Sequence, residues 1–420
     1  MLLRGVNRFK IYGVYVPKRP GKKNELARTL TSYSQHLTVS QARHQPTPRR
    51  TYILQVPSTM AISKTKSDHF AWDKDKPLEF ADTLPSSFYT DPSNFENEMK
   101  HVFTKNWLFA AHIQNLKNIG DYVTGRYGRH PWLLVRDEDN RLKAFYNVCM
   151  HHAMTVTPSP SGNTREFVCN YHGWRYALNG RLRAAVGVKG IKEFSASKIS
   201  LATIETKEVG PFVFLRFDKE DVADANHLMA AHEELSGTSY DGLEFVHGRD
   251  YPMRCNWKPQ VFVDNYLDGG MHVKYAHPDL ASDLDLSSYS LEVFDRYSVQ
   301  RAAAKEGERV KGRAQYIYLY PNLMINRYGD WMDINIVTPT GVDSCVVKME
   351  YYLRSEKKGE AEWIEKSLAA SHKVQEEDVW LCEGVQRGLE SPAYDVGRYA
   401  PSFEKGMYDF HKTLYRQLNE

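Results

Sequence analysis

Two short strings each set a cysteine and a histidine two or three residues apart: Cys149-Met150-His151-His152 and Cys169-Asn170-Tyr171-His172-Gly173-Trp174. Seventeen residues separate His151 from Cys169. A fold that unites these pairs must present four soft or borderline donors from two loops, which leaves few architectures open. Around them, Leu133-Leu134-Val135-Arg136 and Lys143-Ala144-Phe145-Tyr146 read as short strands joined by a turn at Asp137-Glu138-Asp139-Asn140. The donors are therefore expected on loops at one end of a small β domain. Gly173 and Gly180 supply the backbone freedom that tight turns need.

Two thiolates and two imidazoles are the donor set of a Rieske [2Fe–2S] centre. One iron would take Cys149 and Cys169, the other His151 and His172. Neutral imidazoles in place of thiolates make such a cluster less negative and raise its potential. Structural zinc also accepts two Cys and two His, but its pairs usually read Cys-x2–4-Cys and His-x3–5-His. Here each pair is mixed, so the iron–sulfur reading is preferred. His152, beside a donor, is expected outside the donor set.

A second constellation runs Asp264-Asn265-Tyr266-Leu267-Asp268-Gly269-Gly270-Met271-His272-Val273-Lys274-Tyr275-Ala276-His277-Pro278. Asp264, Asp268 and His272 are four apart, so an unbroken helix would put them on one face. His277 lies about 140° further round, so the helix must distort or end for both histidines to meet. Pro278 gives a reason for it to end, because the residue before proline avoids the α region. A third ligand is expected from a helix over residues 374–389, where Val374, Leu381, Val385 and Leu389 fall within about 60° of Asp378. A carboxylate aimed into an apolar face needs a cation or donor. His272, His277 and Asp378 would complete the two-histidine, one-carboxylate set of a non-haem Fe(II) oxygenase. Cys255, Cys345 and Cys382 are left over and are expected as reduced core thiols.

Charge divides the chain. Residues 1–66 hold thirteen Lys/Arg and one acidic residue, Glu25; removing that +12 from the net +3 leaves −9 for the remainder. The basic, Ser/Thr-rich head has the composition of an organelle transit peptide, the alternative being a disordered basic arm. A chain started at Met60 would stay in the cytosol. The acidic remainder argues against nucleic-acid binding. No apolar run reaches the ~18 residues needed to span a bilayer. Five cysteines are too few for a disulfide scaffold.

The two constellations in this order resemble the Rieske non-haem iron oxygenases, in particular the ring-hydroxylating α subunits. The resemblance covers about residues 67–420, including Asn106-Trp107-Leu108 and Gly120-Asp121-Tyr122-Val123. Within that family four strings are similar to the plant-type choline monooxygenases: Cys149 to Ala153, Asp264 to His272, Tyr320 to Asp333, and Leu381 to Leu389. The resemblance implies an α+β protein: a small antiparallel β Rieske domain, then a helix-grip α/β catalytic domain with an antiparallel sheet. The expected boundaries are 1–60 for the basic arm, 61–108 for a helical segment packing on the catalytic domain, 109–217 for the Rieske domain and 218–420 for the catalytic domain. The resemblance also implies a homotrimer in which one subunit's cluster feeds its neighbour's iron. In many relatives the bridging carboxylate stands three residues before the first iron histidine. Here that position is Gly269, so Asp268 is expected to bridge, with Asp264 as the other candidate.

The activity so implied is hydroxylation of choline to betaine aldehyde hydrate with O2, a step of glycine betaine synthesis. N-demethylation of a betaine or cleavage of a carnitine-like substrate is the alternative; a pure Rieske electron carrier is the alternative from another class. Aromatic faces and a nearby carboxylate hold a quaternary ammonium. Tyr266, Tyr275, Tyr328 and Trp331 are the candidate faces, and Asp330 or Asp333 the candidate charge. No dinucleotide or flavin motif is present, so electrons must come from a separate reductase or ferredoxin. Chloroplast stroma is favoured over mitochondrion on the resemblance. Arg165, Arg175, Arg181 and Arg183 near the cluster are candidate docking cations.

Overall fold

The computed structural model describes residues 72–219, 224–237, 239–257, 262–305 and 312–419. The expected transit peptide or basic arm, 1–60, lies outside the described residues.

The first described helices are α1 (Ser86–Thr90) and α2 (Pro92–His101). Asp91 caps α2 by accepting from the Ser93 amide, and Pro92 occupies the first turn, where a missing N–H costs nothing. Hydrogen bonds tie this segment to distant parts of the chain. Asn256 Nδ2 donates to Tyr89 O at 2.7 Å, Trp257 Nε1 to Glu98 Oε2 at 3.0 Å, and Gln417 Nε2 to His101 O at 3.0 Å.

Ten strands follow: β1 (Leu108–His112), β2 (Asp121–Tyr127), β3 (His130–Arg136), β4 (Leu142–Tyr146), β5 (Ser161–Asn163), β6 (Phe167–Val168), β7 (Arg175–Tyr176), β8 (Leu182–Ala184), β9 (Thr203–Val209) and β10 (Phe212–Arg216). They build a seven-stranded antiparallel sheet, ordered β1-β10-β9-β4-β3-β2-β5, and a small sheet, β6-β7-β8. The β3–β4 turn forms as its sequence dictates: Asp137 Oδ1 accepts from the amides of Asp139 and Arg141, and Asn140 sits at φ 60°. Both donor loops lie at the small-sheet end. There Cys149 and Cys169 join Tyr122, Leu133, Phe145 and Trp174 in a core of their own.

The remainder contains α3 (Asn226–Ser236), β11 (Leu243–Met253), α4 (Val263–Leu267), α5 (Val273–Ala276), α6 (Pro278–Asp283), β12 (Leu284–Phe294), β13 (Tyr297–Ala304), β14 (Arg313–Leu319), β15 (Leu323–Tyr328), β16 (Trp331–Gly341), β17 (Ser344–Arg354), α7 (Ala361–Leu389) and α8 (Lys405–Asn419). Its seven strands form one antiparallel sheet, β11-β17-β16-β15-β14-β13-β12. The short helices α4 to α6 fill the connection between the two edge strands.

Helix α7 is longer than the expected 374–389 and is seated differently. Its buried row is Ser367, Ser371, Gln375, Asp378, Cys382, Gln386 and Leu389. Asp378 and Cys382 face inward as expected, but Val385 is exposed and Val374 and Leu381 only half-buried. Hydrogen bonds seat the helix instead. Ser371 Oγ pairs with Tyr351 OH at 3.0 Å, His372 Nδ1 with Tyr251 OH at 3.1 Å, and Gln386 Oε1 accepts from the Asn256 amide at 2.9 Å. The three remaining cysteines are buried thiols outside any disulfide, with Cys255 Sγ 3.8 Å from Cys345 Sγ.

Candidate metal centres and the cavity beside them

The two donor loops of the small β domain share one hydrogen-bond pattern. The Cys149 amide donates to Met154 O at 2.7 Å, and the Cys169 amide to Trp174 O at 2.9 Å. The Ala153 amide returns to Cys149 O, and the Gly173 amide to Cys169 O. The fourth residue after each cysteine takes a left-handed conformation, Ala153 at φ 57° and Gly173 at φ 70°. Asn147 clamps the first loop by accepting from the amides of Val156 and Thr157.

The loops present their donors as two pairs. The Cys149 and Cys169 thiols interact; burial pushes the Cys169 thiol up, and Cys149 adds to this. The His151 and His172 rings lie 4.7 Å apart, with His151 stacked on Trp174 at 4.6 Å. Nδ1 of His151 is buried without a hydrogen-bond partner, an atom aimed at something other than protein. Among the described residues, the donors of His151, His152 and His172 lie within 4.8 Å of one another, and that group includes neither thiol. Tetrahedral zinc would draw all four donors to one point. A thiol pair beside an imidazole pair instead fits two irons. Tyr176 OH accepts from the Met150 amide at 3.0 Å and lies 3.2 Å from Cys149 Sγ, within reach to donate to a thiolate there. A hydrogen bond to a cluster sulfur is one of the levers on potential.

In the second constellation, helix α4 stops at Leu267, and Gly269 and Gly270 follow at φ 71° and 73°. The expected single helical face for Asp264, Asp268 and His272 is therefore not formed. Asp264 turns toward α8, where its Oδ2 lies 3.1 Å from His411 Nε2. Asp268 folds over the glycines and accepts from the Gly270 amide at 2.9 Å and the His272 amide at 3.1 Å. Its Oδ2 also meets His272 Nδ1 at 2.7 Å. That contact puts the proton on Nδ1 and leaves Nε2 for a ligand. The chain ends α5 at His277 (φ −123°, ψ 66°), before Pro278, which brings the two rings to 5.1 Å at 82°.

His277 Nδ1 meets Glu377 Oε2 at 2.8 Å, and its Nε2 meets Asp378 Oδ1 at 3.1 Å. Burial opposes protonation of His277, but Asp378 and Glu377 outweigh it and raise its pKa. Asn265 Nδ2 donates to Asp378 Oδ1 at 2.6 Å, and Gln375 Nε2 to Oδ2 at 3.3 Å. The donor atoms of His272, His277 and Asp378 lie within 4.8 Å of one another. Such a set, each member steered by a neighbour, suits a divalent iron with open positions. The steering residues Glu377, Asn265 and Gln375 escaped the sequence reading, although Gln375 and Asp378 share a helical face three residues apart.

A cavity of about 140 Å3 adjoins these donors. Its aromatic walls are Phe262, Tyr266, Tyr289 and Tyr316, and its polar walls Asn265, Gln300, Asn326, Asn335 and Gln375. Of the four aromatic residues expected to hold substrate, only Tyr266 lines it. Tyr275 is 80% exposed on the outer side of α5, under the solvent-facing Lys274. Tyr328 is buried with its hydroxyl on Asp333 at 2.7 Å, and Trp331 is buried against Trp363. Both flank the β15–β16 turn, beyond the cavity. Tyr289 and Tyr316 come from β12 and β14, which only sheet pairing brings together.

The chain is 43% identical over 366 residues to the chloroplastic choline monooxygenase of Arabidopsis thaliana, covering 83% of this chain and 85% of that protein. Residues 106–195 match the Rieske [2Fe-2S] domain family, and residues 240–420 the ring hydroxylating alpha subunit (catalytic domain) family. The chain belongs to the Rieske non-haem iron oxygenases. The oxygenase is also 29% identical to the carnitine monooxygenase oxygenase subunit of Escherichia coli K12, over 79% of this chain and 92% of that one. Among solved structures it superposes on a quaternary ammonium Rieske monooxygenase bound to an inhibitor, with a TM-score of 0.74 and 25% identity. That match covers 83% of this chain and all of the other. An oxygenase of this family carries a [2Fe–2S] cluster and a mononuclear iron that works with O2.

Proposed function

We propose that the oxygenase hydroxylates choline at its carbinol carbon. Choline, O2, two electrons and two protons would give betaine aldehyde hydrate and water, as a step of glycine betaine synthesis. The cavity carries the reading. It offers aromatic faces and amide groups, and none of its described lining side chains is a lysine or arginine. A trimethylammonium is held by ring faces. The carboxylate of carnitine or betaine would enter without a cation to meet it, which favours choline over the demethylation and carnitine readings.

Cys149, His151, Cys169 and His172 would hold the cluster, and His272, His277 and Asp378 the iron, within a Rieske domain at 109–217 and a catalytic domain at 218–420. The iron supplies O2 activation. Protein groups do the rest: Asp268 and Glu377 hold the proton on Nδ1 of each histidine, Asn265 and Gln375 fix the Asp378 oxygens, and the aromatic walls orient the ammonium. Asp268, in contact with His272, would also relay electrons from a neighbouring subunit's cluster in a homotrimer. The exposed edge of His172 and Tyr171 offers the cluster to a partner. The exposed Arg165 and Arg181, with Arg175 and Arg183, would receive an acidic ferredoxin in the chloroplast. Arg175 and Arg183 already pair with Glu166 and Glu138.

The test is one turnover. The loaded protein is reduced without air, mixed with choline, glycine betaine or carnitine, and given one pulse of oxygen. Betaine aldehyde from choline alone is the expected product; formaldehyde from betaine, or trimethylamine from carnitine, would replace the choline reading. Three irons per chain separate the oxygenase from an electron carrier, which would hold two.

A further inference from the structure

Two cavity-lining amides are anchored the same way. Asn335 Nδ2 donates to Asp333 Oδ1 at 2.7 Å, and Gln375 Nε2 donates to Asp378 Oδ2. A carboxylate accepts, so these contacts settle which end of each amide is the NH2 group. The other ends, Asn335 Oδ1 and Gln375 Oε1, are buried and have no hydrogen-bond partner. Unmatched buried acceptors are uncommon, and beside a cavity they point to a ligand that donates.

Asp333 is the hub of this wall. It is 2% exposed and does not itself line the cavity. Its Oδ1 also accepts from Asn326 Nδ2 at 2.8 Å, and its Oδ2 from Tyr328 OH at 2.7 Å. Asn326 in turn accepts from Tyr266 OH at 2.7 Å. Asn326, Asn335 and Tyr266 all line the cavity, so one buried carboxylate orients three of its walls. Its charge lies one side chain behind the surface that substrate would touch. Burial pushes the Tyr266 phenol up, and the Asp333 charge pushes it further, which locates the field at that wall.

We infer that Asp333 is the positioning residue that makes this cavity select a cation, and that it turns Asn335 Oδ1 to accept the substrate's hydroxyl. The inference rests on the choline reading and assigns its two recognition elements to separate residues. At one side chain's remove and an effective dielectric near 20, the charge is worth about 10- to 50-fold in affinity for a monocation. A hydroxyl acceptor adds roughly 5- to 20-fold.

The decisive comparison uses choline and its uncharged isostere, 3,3-dimethylbutan-1-ol. Asp333→Asn, with its cluster absorbance intact, should lower kcat/KM for choline tenfold or more. It should lower turnover of the isostere much less, through the Asn335 contact that both alcohols share, so the choline preference collapses. Asn335→Leu should lower both substrates together, because both carry the hydroxyl. An unchanged choline preference in D333N overturns the charge assignment, and unchanged turnover of both alcohols in N335L overturns the hydroxyl assignment. If D333N does not fold, the wild-type protein decides the charge: a preference for choline near one refutes it. Failure of the wild-type protein to oxidise choline at all would instead refute the underlying choline reading.

Discussion

Gly269 offers the sharpest test of how His272 is placed. At φ +71° an alanine would be held in a left-handed conformation, which costs about 1–2 kcal/mol. Its Cβ would also stand 2.4 Å from the carbonyl oxygen of Phe403. That is more than about 1 Å inside van der Waals contact, against backbone that no rotamer can relieve. Overpacking of this kind adds about 1–3 kcal/mol. Gly312 provides the control: its φ is +75°, and nothing lies within 4 Å of its Cβ position. In a chain this size each kcal/mol moves Tm by about 2 °C. G312A should therefore lower Tm by about 2–4 °C and G269A by about 4–10 °C. The function should separate them further. Relieving the clash moves the Asp268–Gly270 turn, and with it the hydrogen bonds that steer His272. G269A should thus lose mononuclear iron while keeping its cluster absorbance, and G312A should keep both. Equal Tm losses in the two variants, or full mononuclear iron in G269A, would refute the reasoning.

Glu377→Gln should weaken mononuclear iron about 10- to 100-fold, because Glu377 orients His277; iron retained against a chelator is the measurement, with cluster absorbance unchanged. Acid should destabilise the fold through His112 and His227, each pulled down to about 4 mainly by burial. Between the ordinary histidine value of about 6.5 and that lowered one, the unfolded chain binds more protons at these sites than the folded one. Stability therefore falls as the pH is lowered through this window, by up to about 1.4 kcal/mol per pH unit for each histidine. A Tm that stays constant from about pH 7 to about pH 5 would contradict this.

What could be read in the sequence was local. The mixed Cys/His pairs, the end of a helix before Pro278 and the inward aim of Asp378 each rest on a few neighbouring residues, and each is present in the structure. The failures have two causes. The helical spacing of Asp264, Asp268 and His272 yields to the turn chemistry of Asp268-Gly269-Gly270, whose glycines take positive φ. The aromatic walls depend on strand pairing across the sheet. Nothing near Tyr289 or Tyr316 marks them out among 26 tyrosines, whereas Tyr328 and Trp331 sit in a distinctive string that spans the β15–β16 turn. Glu377 and Asn335 carry no local signal for a similar reason: they meet His277 and Asp333 only once the chain has folded.

The polar inner row of α7 has a bearing on accuracy. Greasy helix faces tolerate small slides, since one aliphatic contact replaces another at little cost. Directional bonds from Ser371, His372 and Gln386 to named partners act like keys in slots: displacement by a single turn would strand all of them at once. The carboxylate of Asp378 is thus delivered to the same spot each time the chain folds, before any ion arrives to demand it.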